Sequence, residues 1–179
     1  MTSLIGSETA KKSVAQWIKL IIYLLSLNLK FNKLSMEDYP AAFVERYTDT
    51  ETLGQSERKI GAMHFGGITI ECLLKAMIFA TLPKGATQEW KTDTNDPGHT
   101  MTNPGHSYTE ALKRHNRLKS RVDKFPQVRK WMDEVENPIG QHFIDMRYSG
   151  IELDDTNYKR WLNAYQSLIR WLQKQSTTL

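Results

Sequence analysis

Glu71 and Lys75 are the residues whose types and spacing point most directly to chemistry. They are four positions apart with the carboxylate on the N-terminal side, the favourable order for an ion pair on one face of a helix. His64 falls on the same face. A partly buried carboxylate needs a cation, and the planar guanidinium of Arg147 suits bidentate carboxylate binding. We predict either a core ion pair between Glu71 and Arg147 or a polar pocket for the phosphate of a nucleotide or RNA.

A second set of chemistry-bearing residues is a short basic stretch in which Asp123 is the only acid. Such a stretch can hold a phosphate backbone, and the binding would then weaken as salt rises. The alternative is a solvated helix face, which charge runs usually form. Few aromatic residues lie between the basic ones, so stacking of single-stranded bases is not indicated here. The residues of this nucleic-acid patch are Lys113, Arg114, Arg117, Lys119, Arg121 and Lys124.

The histidines and the single cysteine do not indicate a metal site. His99 and His106 each follow a Pro-Gly pair, and turn chemistry accounts for this local repeat. No cysteine or closely spaced histidine accompanies them in the manner of zinc ligands. Cys72 has apolar neighbours and is predicted to be an inert core thiol; as the only cysteine, it excludes an internal disulfide. We expect no metal and no cofactor.

The elements that must position these residues are helices. Apolar residues recur at steps of three and four, and no period-2 run indicates a strand. Gly66 and Gly67 lie beside the clearest stripe and would let another helix approach closely. Helix starts are predicted at Ser35 with Asp38, at Ser107 with Glu110, and at Asp154 or Asp155. The clearest stripe comprises Ile60, Met63, Gly67, Ile70, Leu74, Met77 and Thr81.

Composition indicates one globular domain: 179 residues, 40% hydrophobic and 25% charged. The net charge of +4 permits an anionic partner without requiring one. The apolar segment 17–29 is interrupted by Lys19 and is too short for a membrane span, so we predict a buried helix, no membrane association and a cytoplasmic location. The stretch 83–105 lacks an apolar period and is either mobile or functional.

These patterns predict an all-α fold, an antiparallel bundle of four to five main helices with an N-terminal helical addition. We place the addition at residues 1–52, including a short helix over Ala41–Arg46, and the core bundle at residues 53–176. A further helical segment is expected over Gln141–Tyr148. Trp90 and Trp171 fall off the main stripes and are predicted to contact a partner.

Three segments, in this order, resemble the HEPN (higher eukaryotes and prokaryotes nucleotide-binding) family. They are His64–Phe79 (HFGGITIECLLKAMIF), Gly105–Leu112 (GHSYTEAL) and Phe143–Tyr148 (FIDMRY), and the resemblance covers roughly residues 58–175. It implies a helical bundle that forms homodimers in prokaryotic toxin–antitoxin or defence systems. It also implies a nucleotidyltransferase partner and a nucleotide or RNA ligand. The ligand-binding residues expected from this reading are Glu71, Lys75, His106, Arg147 and Tyr148.

The same resemblance bears on catalysis. RNA-cleaving members of the family carry an arginine followed, four to six residues later, by a histidine near the final helix. Arg147 is the matching arginine, but no histidine follows at that distance. We therefore expect an accessory or binding module without catalytic activity of its own. The alternative is a metal-independent ribonuclease in which His64 is the general base and Arg58 stabilises the phosphate at a dimer cleft.

Overall fold

The computed structural model describes residues 37–83, 90 and 101–176, all of which belong to the compact unit Ser35–Leu179. The described residues form six α-helices and no strand, which confirms the predicted all-α bundle. The helix predicted over residues 17–29 lies outside the described residues. The helices are α1 (Tyr39–Gln55), α2 (Lys59–Phe79), α3 (Tyr108–Lys113), α4 (Asn116–Lys124), α5 (Pro126–Glu136) and α6 (Asp155–Ser176).

The centre of the fold is α2. It packs along α1 and also contacts α3, α5, α6 and the 3-10 turn at Asp145–Tyr148, so nearly all of its side chains from Ala62 onward are buried. A helix surrounded in this way is apolar on all sides. Among the described residues it is the one helix long and apolar enough to cross a membrane, and 83% of its apolar window is buried inside the protein. Core helices of globular proteins have the same properties.

Two glycines of α2 let aromatic side chains reach its backbone. A Cβ atom at Gly66 would lie 2.6 Å from Cζ2 of Trp161, and one at Gly67 would overlap the ring of Phe143. Gly67 also accepts a hydrogen bond from the Tyr108 hydroxyl through its carbonyl, at 2.7 Å. The close approach expected from these glycines is confirmed, and it brings the Phe143 segment directly onto α2.

The helix starts predicted at Ser107 and Asp154 are confirmed by side-chain caps, whereas the first described helix is capped by Asp38 itself and the predicted Ser35 lies outside the described residues. Asp38 accepts from the Ala41 amide at 3.0 Å, Ser107 from the Glu110 amide at 3.3 Å, and Asp154 from the Asn157 amide at 2.8 Å. Each cap satisfies an amide that has no partner within its helix. The chain direction at the start of α1, α3 and α6 is therefore set by local sequence.

The N-terminal part of the bundle differs from the prediction. The helix expected over Ala41–Arg46 is α1, which runs from Tyr39 to Gln55 and packs along α2. The expected boundary between residues 52 and 53 falls inside this helix. Only Tyr39, Phe43 and Thr50 of α1 are buried, so the sequence carries a weak apolar stripe and gives little sign of its length.

A tight turn joins α1 to α2. Glu57 has a positive φ of 57°, its amide donates to the Gly54 carbonyl, and the Arg58 amide donates to the Leu53 carbonyl at 2.8 Å. This pair of hydrogen bonds is a Schellman motif, in which glycine usually occupies the left-handed position. The motif fixes the backbone at Arg58, the residue immediately before α2.

The segment between α5 and α6 also differs from the prediction. The helix expected over Gln141–Tyr148 consists of irregular chain and a 3-10 turn at Asp145–Tyr148, after an earlier 3-10 turn at Pro138–Gly140. Ile139 in that earlier turn has a φ of 53°, an unfavourable conformation for a β-branched residue. Two turns thus precede α6, and Phe143 between them and Met146 within the second are buried.

Trp90 is a core residue, so the prediction that it contacts a partner is wrong. Its side chain is 5% exposed, its ring stacks on Phe79 with centroids 4.4 Å apart, and its Nε1 donates to the Tyr39 hydroxyl at 2.7 Å. Trp171 remains partly exposed, and its ring contacts that of Phe125. Its proposed partner contact stays a prediction.

Candidate functional site

The residues predicted to form one ligand pocket divide into two places. The first, which we call the closed cluster, contains Glu71, Lys75 and His106. Lys75 Nζ lies 2.8 Å from Glu71 Oε1, which confirms the predicted pair, and His106 Nδ1 lies 2.8 Å from Glu71 Oε2. A carboxylate only accepts, so the Glu71 oxygens receive hydrogen bonds from both partners.

Aromatic rings complete the closed cluster around the lysine. Lys75 Nζ lies 5.3 Å from the ring centre of Tyr39 and 5.8 Å from that of Trp90, within the range of a cation–π interaction. The Lys75 and Glu71 side chains are almost fully buried. The charges therefore satisfy each other inside the protein, and the cluster ties α2 to the start of α1 and to the turn at His106.

Arg147 does not take part in this cluster, so the predicted Glu71–Arg147 ion pair is wrong. Glu71 already has two cationic or donor partners, and Arg147 is exposed on the 3-10 turn before α6. The guanidinium instead lies over the ring of Tyr148, with Cζ 4.7 Å from the ring centre.

Arg147 lines the second place, which we call the open groove. It has a volume of about 920 Å³ and runs between the α1–α2 turn with the N-terminal half of α2 on one side and residues 146–154 on the other. Two arginines and a histidine singled out from sequence meet here from distant parts of the chain. Its polar lining comprises Glu57, Arg58, Lys59, His64, Arg147, Ser149, Glu152 and Asp154.

The charges of the open groove differ in how far they are committed to other groups. Lys59 binds Asp155 at 2.5 Å, and Asp154 caps α6. Arg58 and Arg147 are both exposed, and neither forms an ion pair with another residue of the described part of the chain. Two guanidinium groups therefore face the groove with their donors available to an anion.

His64 enters the open groove in a defined orientation. Its Nδ1 lies 2.9 Å from the carbonyl oxygen of Phe143. A carbonyl can only accept, so Nδ1 carries the proton, and Nε2 is the unprotonated nitrogen of the neutral ring. Phe65 packs edge-to-face on the imidazole with centroids 5.2 Å apart. The ring is thus held so that Nε2 can accept a proton or a hydrogen bond.

Apolar side chains border the same groove. Ile151 lines it and is 53% exposed, and Tyr148, beside Arg147, is 80% exposed. Together with Phe125, these are the large hydrophobic residues exposed on the described part of the protein. The groove therefore offers guanidinium donors and the apolar side chain of Ile151, and the exposed ring of Tyr148 lies next to it, against the guanidinium of Arg147.

Four of the six residues of the predicted nucleic-acid patch on α3 and α4 are bound to neighbouring groups of the same chain. Lys113 binds Glu110 at 2.5 Å, Lys119 binds Asp123 at 2.7 Å, and Asp123 also binds Arg129. Arg114 donates to the Thr102 carbonyl and to Glu110, and Arg121 donates to Gln175. Arg117 and Lys124 are exposed. This geometry favours the solvated-face alternative.

His115 lies within this stretch but serves the fold. It is buried, and its Nδ1 accepts from the Leu118 amide at 3.3 Å, which caps α4. Burial, and then the nearby charges of Arg117 and Arg121, lower the pKa of His115 below its ordinary value, although its backbone contact opposes this. Folding therefore favours the neutral form of the His115 ring.

Cys72 is buried, and desolvation raises the pKa of its thiol to about 12. The predicted inert core thiol is confirmed. Among the residues that the structure describes, no three histidine, cysteine, aspartate or glutamate side chains come together as metal ligands.

Sequence reasoning missed that Arg58, His64 and Arg147 share one groove. The position of Arg147 depends on the contact of Phe143 with Gly67 and on irregular turns, for which local periodicity gives no signal. The exposed Ile151 and Glu152 were also missed. The signal that could have indicated the groove is the position of Arg58 and Arg147, each of which lies near the boundary of a helix or turn.

Comparison of the chain with family models, curated proteins and solved structures gives no match. The resemblance to the HEPN family stays a prediction from the sequence.

Proposed function

We propose that this protein is a HEPN-like helical module that binds the phosphate of an RNA or nucleotide in the open groove. The observation that carries the proposal is the meeting of Arg58, His64 and Arg147 along one groove, with both arginines free of ion pairs within the described chain. Guanidinium groups bind phosphate oxygens with two parallel hydrogen bonds. The closed cluster and the patch on α3 and α4 are structural.

The wider setting of the proposal follows the family resemblance. The module acts as a homodimer in a prokaryotic toxin–antitoxin or defence system, in the cytoplasm, with a nucleotidyltransferase as its partner. Light scattering on the purified protein measures its mass, and a mass of one chain would contradict the dimer without affecting the groove.

The test of the groove is binding of a fluorescent single-stranded RNA, followed by anisotropy at several salt concentrations. Arg58→Gln and Arg147→Gln should each weaken binding and reduce the slope of log affinity against log salt by roughly 0.7, the value for one phosphate contact on a single strand. Lys119→Gln removes the same charge from a residue paired with Asp123 and is the matched control. Equal losses in all three variants would refute a specific groove.

A second candidate function is RNA cleavage, favoured by the orientation of His64. With Nδ1 bound to the Phe143 carbonyl, Nε2 can take the proton of a ribose 2′-hydroxyl while Arg58 or Arg147 stabilises the phosphate. The 2′-oxygen would then displace the 5′-oxygen from the phosphorus, and the leaving 5′-oxygen would take up a proton from water, which gives a 2′,3′-cyclic phosphate and a free 5′-hydroxyl.

Incubation with labelled RNA separates binding from cleavage. The binding module predicts bound, intact RNA with both the protein and His64→Ala. The ribonuclease predicts products that are absent with His64→Ala and with a substrate that carries 2′-deoxyribose at every position. Cleavage that survives His64→Ala would come from a contaminating enzyme.

A further inference from the structure

We infer that Tyr148, with Arg147 stacked on it, is a platform for a nucleobase, so that the ligand of the open groove is an unpaired nucleotide or single-stranded RNA. This inference rests on the proposed function and specifies its ligand. The observation behind it is the position of an aromatic ring, 80% exposed, against a guanidinium that lines the groove.

The exposure of Tyr148 is unusual for the aromatic residues of this chain. Tyr39, Tyr108, Trp161 and Tyr165 are buried and in contact with other rings, whereas Tyr148 has no ring partner among the described residues. One face of its ring is covered by the Arg147 guanidinium. The other face is open to solvent.

Arg147 links this ring to the phosphate site. Its delocalised guanidinium can stack on an aromatic face and still direct its N–H groups, which lie in the guanidinium plane, towards an anion. A nucleotide carries the two complementary groups in a fixed order: a flat base that can stack on the ring and a phosphate that can bind the guanidinium. Base stacking on Tyr148 with phosphate binding at Arg147 and Arg58 therefore uses both features of the surface at once.

The apolar neighbour at this edge supports the same ligand. Ile151 lies in the groove and is 53% exposed, so a base or ribose that enters would cover its side chain. Bases in duplex RNA are already stacked and paired, and the A-form minor groove presents ribose and phosphate instead. A stacking platform consequently selects unpaired nucleotides over duplex.

The experiment compares Tyr148→Ala, Tyr148→Phe and Phe125→Ala as a matched exposed aromatic outside the groove. The probes are a labelled single-stranded RNA, the same RNA as a duplex, an abasic oligonucleotide of equal length, and a labelled mononucleotide. Tyr148→Ala should weaken binding of the single strand by at least about fivefold, the lower end of the effect of losing one stacked base. It should leave binding of the abasic strand unchanged, and Tyr148→Phe should bind as the parent protein does.

The outcomes distinguish this inference from the proposed function. Loss of binding in Arg58→Gln and Arg147→Gln with no effect of Tyr148→Ala would overturn the platform and leave the phosphate groove standing. No binding of any probe would overturn both. Duplex bound as tightly as single strand, or a change of oligomeric state in Tyr148→Ala without a change in RNA affinity, would overturn the platform. Binding of the mononucleotide would show that one base and its phosphate are enough.

Discussion

The closed cluster and the open groove both use charged and histidine side chains at or near α2, but the first set is mostly buried and paired and the second is mostly exposed. His64 and Glu71 are seven positions apart on α2, about 10 Å along the helix axis. At the closed cluster, Glu71 and Lys75 are buried and bind each other, the more exposed His106 also binds Glu71, and the rings of Tyr39 and Trp90 cover Lys75. At the groove, Arg58 and Arg147 have no ion-pair partner among the described residues and remain exposed. A polar set on a core helix thus becomes structural or available according to what its neighbours supply.

The strongest way to break this comparison is to remove Lys75. Lys75→Met leaves the buried Glu71 carboxylate without its closest cation and should lower the free energy of unfolding by about 3 kcal/mol. Denaturant titration measures the change. The double variant Glu71→Leu, Lys75→Met should recover most of it, because an apolar pair avoids the cost of a buried charge.

Arg147→Met is the matched control in the groove. As an exposed side chain without an ion pair among the described residues, it should change stability by less than about 0.5 kcal/mol. A loss comparable to that of Lys75→Met would mean that the groove residues are also part of the core.

Gly67→Ala tests the part of the protein that joins the two regions. Phe143 packs on Gly67, holds His64 through its carbonyl and places its ring edge against His106. The new methyl group would overlap the Phe143 ring, so we expect a loss of about 2 kcal/mol despite the better helix propensity of alanine.

Gly150→Ala is the control for this substitution, since nothing lies within 4 Å of its Cβ position. Calorimetry on both variants compares their melting temperatures. A stabilised Gly67→Ala would show that the Phe143 segment shifts at little cost.

Measuring stability against pH sharpens the comparison between the two regions, provided that the contribution of His115 is separated first. This histidine belongs to neither the closed cluster nor the open groove. The pKa of His115 is lowered in the folded protein, so the unfolded chain takes up a proton first, at its ordinary value of about 6.5. Stability should be complete above that value and decline as the pH falls below it. His115→Asn keeps a cap for α4 and should remove this part of the decline in melting temperature. A parallel decline in both proteins would place its origin in other groups.

Sequence reasoning predicted the parts of this fold that depend on local chemistry. The caps at Ser107 and Asp154, the core stripe of α2 and the Glu71–Lys75 pair all arise from residues a few positions apart. Such interactions are set by helix geometry, which the spacing of residues reveals directly.

The parts that failed depend on contacts between distant segments. Trp90 is buried because Phe79 and Tyr39 lie beside it, and Arg147 is exposed because Glu71 is already satisfied by nearer groups. The groove itself arises where residues 146–154 pass beside the start of α2. No local pattern encodes that the second partner of Glu71 is His106 rather than Arg147.

The Schellman turn at Glu57 affects the free energy of the phosphate binding that we propose at Arg58. Two main-chain hydrogen bonds hold the backbone that carries Arg58, and the left-handed residue between the helices is already in place before any ligand arrives. Binding of a ligand in the proposed site would therefore carry no entropy cost for ordering this loop. The remaining cost is that of immobilising the Arg58 side chain, about 0.5–1.5 kcal/mol. A preorganised main chain of this kind favours rapid, reversible occupancy over slow conformational capture.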